Sequence, residues 1–130
     1  MPFIDPDPIR WLDRVIGNGS CVLLLQLGDG ARAPHTSKWR AGAKVVGNAD
    51  LQPGTAIATF GRAGTYMNST DGHSHAAIFC GHAGGGHAEG GLSVIDQWVG
   101  QPVHVRIIRN KAGVGPGADD ASRYSVIEVA

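Results

Sequence analysis

His75-Ala76-Ala77-Ile78-Phe79-Cys80 and Leu92-Ser93-Val94-Ile95-Asp96-Gln97-Trp98, joined by a glycine-rich stretch over residues 81–91, read as two neighbouring strands. Both runs are rich in β-branched, aromatic and aliphatic residues and are bounded by glycine. In extended chain, successive side chains face opposite sides. His75, Ala77 and Phe79 therefore share one face, and Ala76, Ile78 and Cys80 the other. Leu92, Val94, Asp96 and Trp98 likewise share a face. A hairpin symmetric about the connection pairs Cys80 with Gly91 and sets His75 opposite Asp96. Directly opposed Cβ atoms lie about 4.5–5.5 Å apart, within reach of an imidazole–carboxylate hydrogen bond. A slip of one residue brings Gln97 there instead.

Outward from this hairpin, more strands follow the same logic. Thr55-Ala56-Ile57-Ala58-Thr59-Phe60 comes after the turn Pro53-Gly54. Val103-His104-Val105-Arg106-Ile107-Ile108-Arg109 alternates for most of its length, and Tyr124-Ser125-Val126-Ile127-Glu128-Val129 closes the chain. Residues 110–122 read as a loop.

The N-terminal part is different. Asp7 can cap a helix, Pro8 suits its first position and Gly17 its end, with Ile9, Leu12 and Ile16 on one face. Ser20 is a good N-cap for a second, short helix, Cys21-Val22-Leu23-Leu24-Leu25-Gln26-Leu27, ended by Gly28. Residues 36–42 suggest one more helical turn. Helices first and an antiparallel sheet of about four to six strands afterwards is the α+β pattern. No repeat or linker divides the chain, so residues 1–130 are expected to form one domain.

Composition excludes several classes. Hydrophobic residues make up 42% and charged residues 17%, which suits a packed core rather than a disordered chain. Eleven Lys and Arg balance eleven Asp and Glu, so the basic excess that binds nucleic acid is lacking. The longest apolar run, Cys21 to Leu25, is far short of the ~18–20 residues of a membrane span. The acidic, proline-rich start Met-Pro-Phe-Ile-Asp-Pro-Asp-Pro is unlike a secretory signal, so synthesis in the cytoplasm is expected. Two cysteines form no CxxC pair and no disulfide framework.

The residues that could carry chemistry are Cys21, His75 and Asp96. A thiol in the first turn of a helix feels the positive end of the backbone dipoles, which favours the nucleophilic thiolate. Attack on an amide also needs an imidazole to protonate the leaving amine, and an acceptor to orient that imidazole. Cys80, on the apolar face away from His75, reads as core. His82 and His87, in the glycine-rich connection, read as exposed loop residues. A P-loop is excluded there because no Lys-Ser/Thr follows the glycines. Trp98 shares a face with Asp96 and is expected at the site; with Tyr66 and Trp39 it is a candidate wall for substrate. Two other readings stay open. His73, His75 and His104 could bind a metal, since His73-Ser74-His75 puts two imidazoles on one strand face. A binding module could also keep this fold without the chemistry. The thiol reading requires neither cofactor nor metal.

The order of these motifs resembles the papain-like bacterial amidohydrolases, the NlpC-like and CHAP domains. Leu51-Gln52-Pro53-Gly54-Thr55 is similar to their Leu-x-Pro-Gly-Asp strand entry, and His75-Ala76-Ala77-Ile78-Phe79 to their histidine strand. Asp96-Gln97-Trp98 with Gln101-Pro102-Val103-His104, and the ending Tyr124-Ser125-Val126-Ile127-Glu128, look like a family of small uncharacterised proteobacterial proteins of that clan. The resemblance spans residues 17–130. It implies a papain-like fold, with Cys21 as nucleophile, His75 as base and Asp96 as orienter. It implies a peptide amide of the bacterial cell wall, peptidoglycan, as substrate. Ser20 stands where CHAP domains carry Gln and NlpC-like domains often carry Asp, so the oxyanion donors stay open among the Cys21 N–H, Ser20 and Asn18, with Gln97 in support. An antibacterial effector of this kind needs a dedicated export machine, such as type VI secretion, or lysis. It also implies a protective inhibitor (immunity) protein in the producing cell.

Overall fold

The computed structural model describes residues 2–27, 30–69, 72–83 and 90–129. Gly28, read above as a helix end, and His87 lie outside the described residues. Six strands form one antiparallel sheet: β1 (Trp39–Lys44), β2 (Ala56–Thr59), β3 (Ala76–His82), β4 (Gly91–Trp98), β5 (Gln101–Arg109) and β6 (Tyr124–Val129). Their order across the sheet is β1-β6-β2-β3-β4-β5. The β1 segment, read from sequence as a helical turn, is a 3-10 turn only at Thr36–Lys38 and then an edge strand paired with β6.

The sheet is covered on both sides, and the pleat sorts its residues accordingly. Ala76, Ile78, Ile95 and Ala58 join Leu24, Leu25 and Trp39 in one cluster; Ala77, Phe79, Val94 and Tyr124 join Val45 and Ala121 in the other. That double burial explains the nearly unbroken apolar run of β3. The first face carries α1 (Cys21–Gln26), whose Leu24 and Leu25 are fully buried. Alanines at positions 56, 58 and 76 keep that face low, so a short helix can lie close to it. A six-residue helix is not stable by itself. Its anchors are these two leucines, each contributing about 1.5–3 kcal/mol by burial.

Helix is scarcer than the sequence suggests. α1 is the one α-helix among the described residues, and the capped segment before it is a 3-10 turn, Pro8–Trp11. The expected apolar stripe fails at its start, where Ile9 is 66% exposed, while Leu12 and Ile16 pack on the core; Asp13 takes a left-handed φ of 68°, which a continuing helix does not allow. From there the chain pairs instead with β5, through Asp13 N–H to the Val103 carbonyl and Val103 N–H to the Arg14 carbonyl, both 2.8 Å.

The β3–β4 register also differs from the symmetric one. Ile78 lies opposite Ile95 and Phe79 opposite Val94, with an irregularity before Gly81. Carried back along both strands, this sets Ala77 rather than His75 opposite Asp96. The offset is two residues, so face parity survives and His75 meets Asp96 on the diagonal.

The N-terminal residues form a strap against the entry to β2. Asp5 N–H donates to the Gly54 carbonyl and Ala56 N–H to the Phe3 carbonyl, each at 2.8 Å. Gly54 has φ +95°, and a Cβ there would strike the Asp5 carbonyl oxygen. Gly54→Ala should therefore cost about 2 kcal/mol or more of unfolding free energy, read by urea denaturation. A loss under 0.5 kcal/mol, on the order of an ordinary surface substitution, would contradict this close approach.

Candidate active site

Three elements converge at one end of the central strands. The first is the loop leading into α1. Gly17 and Gly19 take φ of +62° and +91° to turn it, and the Asn18 side-chain oxygen accepts the Ser20 N–H at 3.0 Å. The loop is then fastened from below by Gln97 of β4. This fully buried amide accepts the Ile16 N–H at 2.9 Å and donates to the carbonyls of Ile16 (2.9 Å) and Ser20 (2.8 Å). Both amide hydrogens are thus committed to backbone, so Gln97 supports the loop and offers no donor to an oxyanion. Cys21 is the first residue of the helix that follows. The Ser20 side chain makes no capping bond.

His75 is the second element, at the mouth of β3. Its N–H donates to the Thr59 hydroxyl and its carbonyl accepts the Thr59 N–H, both at 3.0 Å. The residue is 6% exposed. Its Nε2 donates to Asp96 Oδ2 at 2.7 Å. The Cys21 thiol beside it favours the charged ring, and Nδ1 is the ring nitrogen that Asp96 leaves open.

Asp96 is the third. A bulge in the β4–β5 pairing follows it, and Asp96 and Gln97 face opposite sides of the sheet. Asp96 is fully buried, and its Oδ2 also accepts from Arg106 Nε at 2.8 Å. His104 Nδ1 stands 3.6 Å from Oδ1. Sequence reasoning missed Arg106. The tight turn at Val99-Gly100 pairs Trp98 with Gln101, and the bulge between Trp98 and Asp96 then sets Asp96 opposite His104 and Val94 opposite Arg106, which makes Arg106 the diagonal neighbour of Asp96; the turn alone would not have shown this.

The charges alternate along this row. Burial opposes the ionised form of each group. For Cys21, burial pushes the thiol up, but the hydrogen bond and charge of His75 outweigh it, helped by the Ala76 N–H and the Tyr66 hydroxyl, and the result is lowered. For His75, burial pulls down while Asp96 and then Cys21 raise it to about 9. Asp96 is held below the usual carboxylate range: burial works against this, and His75 and Arg106 overcome it. The row thus favours the ionised form of every member over the same group alone: Cys21 toward thiolate, His75 toward imidazolium, Asp96 toward carboxylate and Arg106 toward guanidinium.

The aromatic candidates divide. The Tyr66 hydroxyl lies 3.9 Å from the Cys21 sulfur, and burial, reinforced by the thiolate, pushes its own ionisation far up. Trp98 is 41% exposed and packs edge-on against His75 (6.2 Å) and His104 (5.0 Å), with Arg106 5.2 Å from its ring. Trp39 does not line the site. It is fully buried, its indole N–H bonds the Pro34 carbonyl, and it backs Tyr66 at 5.0 Å. The histidines do not assemble a metal centre. His73 accepts from Gly117 N–H, His75 is on Asp96, and among the described residues no group of three or more His, Cys, Asp or Glu could hold an ion. His82 is not an exposed loop residue either: it ends β3, half-buried, with Nε2 2.7 Å from the Asn48 carbonyl oxygen.

The fold is thus a six-stranded antiparallel sheet that carries a buried histidine–carboxylate pair, with a cysteine at the start of the helix packed on one face. The chain belongs to the domesticated amidase effector 2 family (Dae2), whose model matches residues 8–127. It is 36% identical over 100 residues to a type VI secretion amidase effector 2 protein of Salmonella typhi, covering 75% of this chain and 68% of that one. The solved structure of a type 6 secretion amidase effector 2 (Tae2) superposes with a TM-score of 0.80 at 31% identity, covering 98% of this chain and 95% of that one.

The raised His75 value has a consequence for stability. Its pairing contributes fully below the unfolded imidazole value of about 6.5 and is lost as pH rises through about 9. A nuclear magnetic resonance titration of the His75 ring should show charge retained to about pH 9, and a fall toward 6.5 in Asp96→Asn. A wild-type midpoint near 6.5 would contradict the coupling.

Proposed function

We propose that the protein is an antibacterial effector that hydrolyses an amide bond of peptidoglycan stem peptides, with Cys21 as nucleophile, His75 as general acid and base, and Asp96 as orienter. One observation carries this reading: in a chain of the amidase effector family, a buried imidazole is held by the Asp96 carboxylate at 2.7 Å and acts electrostatically on the helix-start Cys21, lowering its thiol. The arrangement is the papain-like one, a helix-start cysteine against a sheet that carries the histidine and then a polar residue.

The reaction follows from the charges. The Cys21 thiolate attacks the substrate carbonyl, forming a C–S bond and an oxyanion. The first N–H groups of a helix have no intrahelical partner, so the Cys21 N–H is available to that oxyanion beside Ser20 and Asn18. One such donor is worth about 10²–10³ in rate. As the intermediate collapses, the C–N bond breaks and the His75 imidazolium protonates the departing amine. Neutral His75 next takes a proton from water, whose oxygen attacks the thioester. The C–S bond breaks, and the acid leaves with the thiolate restored. Asp96 keeps Nε2 protonated, so that Nδ1 is the nitrogen that exchanges protons with sulfur and substrate. Trp98 and Tyr66 flank the reacting atoms.

The relatives' names carry type VI secretion, and we extend that delivery route to this chain. No helix among the described residues is long and apolar enough to cross a membrane. An inhibitor protein made by the producing cell would be the natural partner.

Digestion of purified sacculi, with products separated and weighed by mass spectrometry, tests the proposal. The wild type should release soluble fragments bearing one new amine and one new carboxylate per cleavage. Cys21→Ala and His75→Ala should each lose about 10³-fold or more, and Asp96→Asn about 10²–10⁴-fold with the fold intact. Undiminished hydrolysis by Cys21→Ala would sink the mechanism.

A further inference from the structure

A cleft of about 350 Å³ opens beside the site. Thr59, Phe60, Met67, His73, Ser74 and Arg123 line it, with three glycines and Ser69. The volume is at the low end of the roughly 300–1,000 Å³ of small-ligand pockets, enough for a short stretch of peptide.

Its position ties it to the reacting atoms at two points. The floor includes Thr59, which holds the His75 backbone on both its N–H and its carbonyl, and Ser74, the residue before His75. One wall, Phe60 and Met67, brackets Tyr66, whose hydroxyl lies 3.9 Å from the Cys21 sulfur. A peptide with its scissile carbonyl at Cys21 would run its flank into this space.

The lining combines apolar surface with a single permanent charge. Phe60 is half-buried, and Met67 is 64% exposed. Arg123, with a half-exposed side chain, lines the same cleft. One guanidinium nitrogen donates to the Gly113 carbonyl at 3.1 Å, and Nε faces Asp120 Oδ2 at 3.8 Å. Asp120 is itself occupied: fully buried, it accepts from the Lys111, Gly113 and Ser122 N–H groups and from the Ser122 hydroxyl. It braces the segment rather than consuming the arginine. An arginine has five N–H donors in a planar fork suited to a carboxylate, and these two contacts leave most of the fork unspent. Among the described lining residues there is no carboxylate to compete.

We propose that this cleft is the subsite for the carboxylate-bearing flank of the substrate peptide, with Arg123 pairing the carboxylate while Phe60 and Met67 cover the adjoining aliphatic carbons. This rests on the amidase reading above. Arg123 is then a specificity residue: it selects peptides that carry the acid and leaves the bond-breaking groups untouched.

The test uses synthetic stem-peptide dimers in three forms: free acid, C-terminal carboxamide alone and side-chain carboxamide alone. Wild type and Arg123→Gln are compared by kcat/KM, and Cys21→Ala with and without Arg123→Gln by calorimetric binding. Wild type should prefer the free acid over one of the two amides by about tenfold, expressed in KM. The amide that loses the advantage identifies which carboxylate is read. Arg123→Gln should erase the preference with hydrolysis of that amide unchanged, and Arg123→Lys should restore part of it. Met67→Asp, an exposed change in the same lining, should weaken the free acid more than the amide. An unchanged acid-to-amide ratio in Arg123→Gln, or no preference in wild type, overturns the subsite while leaving the hydrolase intact. Acid binding to Cys21→Ala that depends on Arg123, without hydrolysis by wild type, upholds the subsite and overturns the hydrolase.

Discussion

The hydrogen bond from His75 Nε2 to Asp96 Oδ2, 2.7 Å long and almost entirely out of water, is the constraint on which the site depends. It fixes the ring's tautomer and orientation, and so decides which nitrogen faces the thiol. An isolated buried charge is expensive, and here three ionisable groups are buried together. They are held toward their charged forms because their signs alternate, with hydrogen bonds from His75 and Arg106 to Asp96. Arg106, with its side chain 21% exposed, closes the row and helps hold Asp96 as an anion. Removing His75 would leave the Cys21 thiolate without its counter-charge, and removing Asp96 would take from His75 its shortest partner, so the members act together.

The second dependency runs through adjacent residues of one strand. Asp96 turns to one side of the sheet and holds the histidine; Gln97 turns to the other and holds the loop that presents the cysteine. Two halves of the site, from elements more than fifty residues apart in sequence, are thereby referenced to the same two positions of β4. The short α1 needs that reference. It is too brief to be stable alone, and it sits on a floor of alanines with Leu24 and Leu25 as its anchors. The cleft with Arg123 extends the same plan outward, since its floor residue Thr59 is also the backbone anchor of His75.

Much of this was legible in the chain. β2 to β6 follow from alternation and turn residues, and Cys21, His75 and Asp96 stand out by residue type and position. The pleat's period of two explains why a register wrong by two residues still put His75 and Asp96 on one face. The asymmetric closure of the hairpin, His82 opposite Leu92, and the one-residue irregularity between Phe79 and Gly81 that brings the offset to two have no clear sequence mark. β1 was hidden because Trp39-Arg40-Ala41-Gly42-Ala43-Lys44 has little strand propensity; it is an edge strand held by pairing with β6. The first segment looked helical because its caps and spacing were right. Its tertiary pairing with β5 and the exposure of Ile9 decided otherwise. Trp39 was read as a wall because large aromatics serve in both roles, and only packing tells them apart. Arg106 and the Gln97 clamp needed the β4–β5 pairing and the loop contacts, which a single strand's pattern does not contain.

The coupling of Cys21 to His75 is the central claim, and the rate of iodoacetamide alkylation at Cys21 across pH 4–9 tests it most directly. Peptide mass spectrometry separates this label from any at Cys80, whose thiol burial pushes up. The account predicts labelling that begins well below the ordinary thiol value of about 8.5, and an onset displaced upward by a unit or more in His75→Ala. Labelling of Cys21 that starts only above pH 8, with the same profile in His75→Ala, would contradict it.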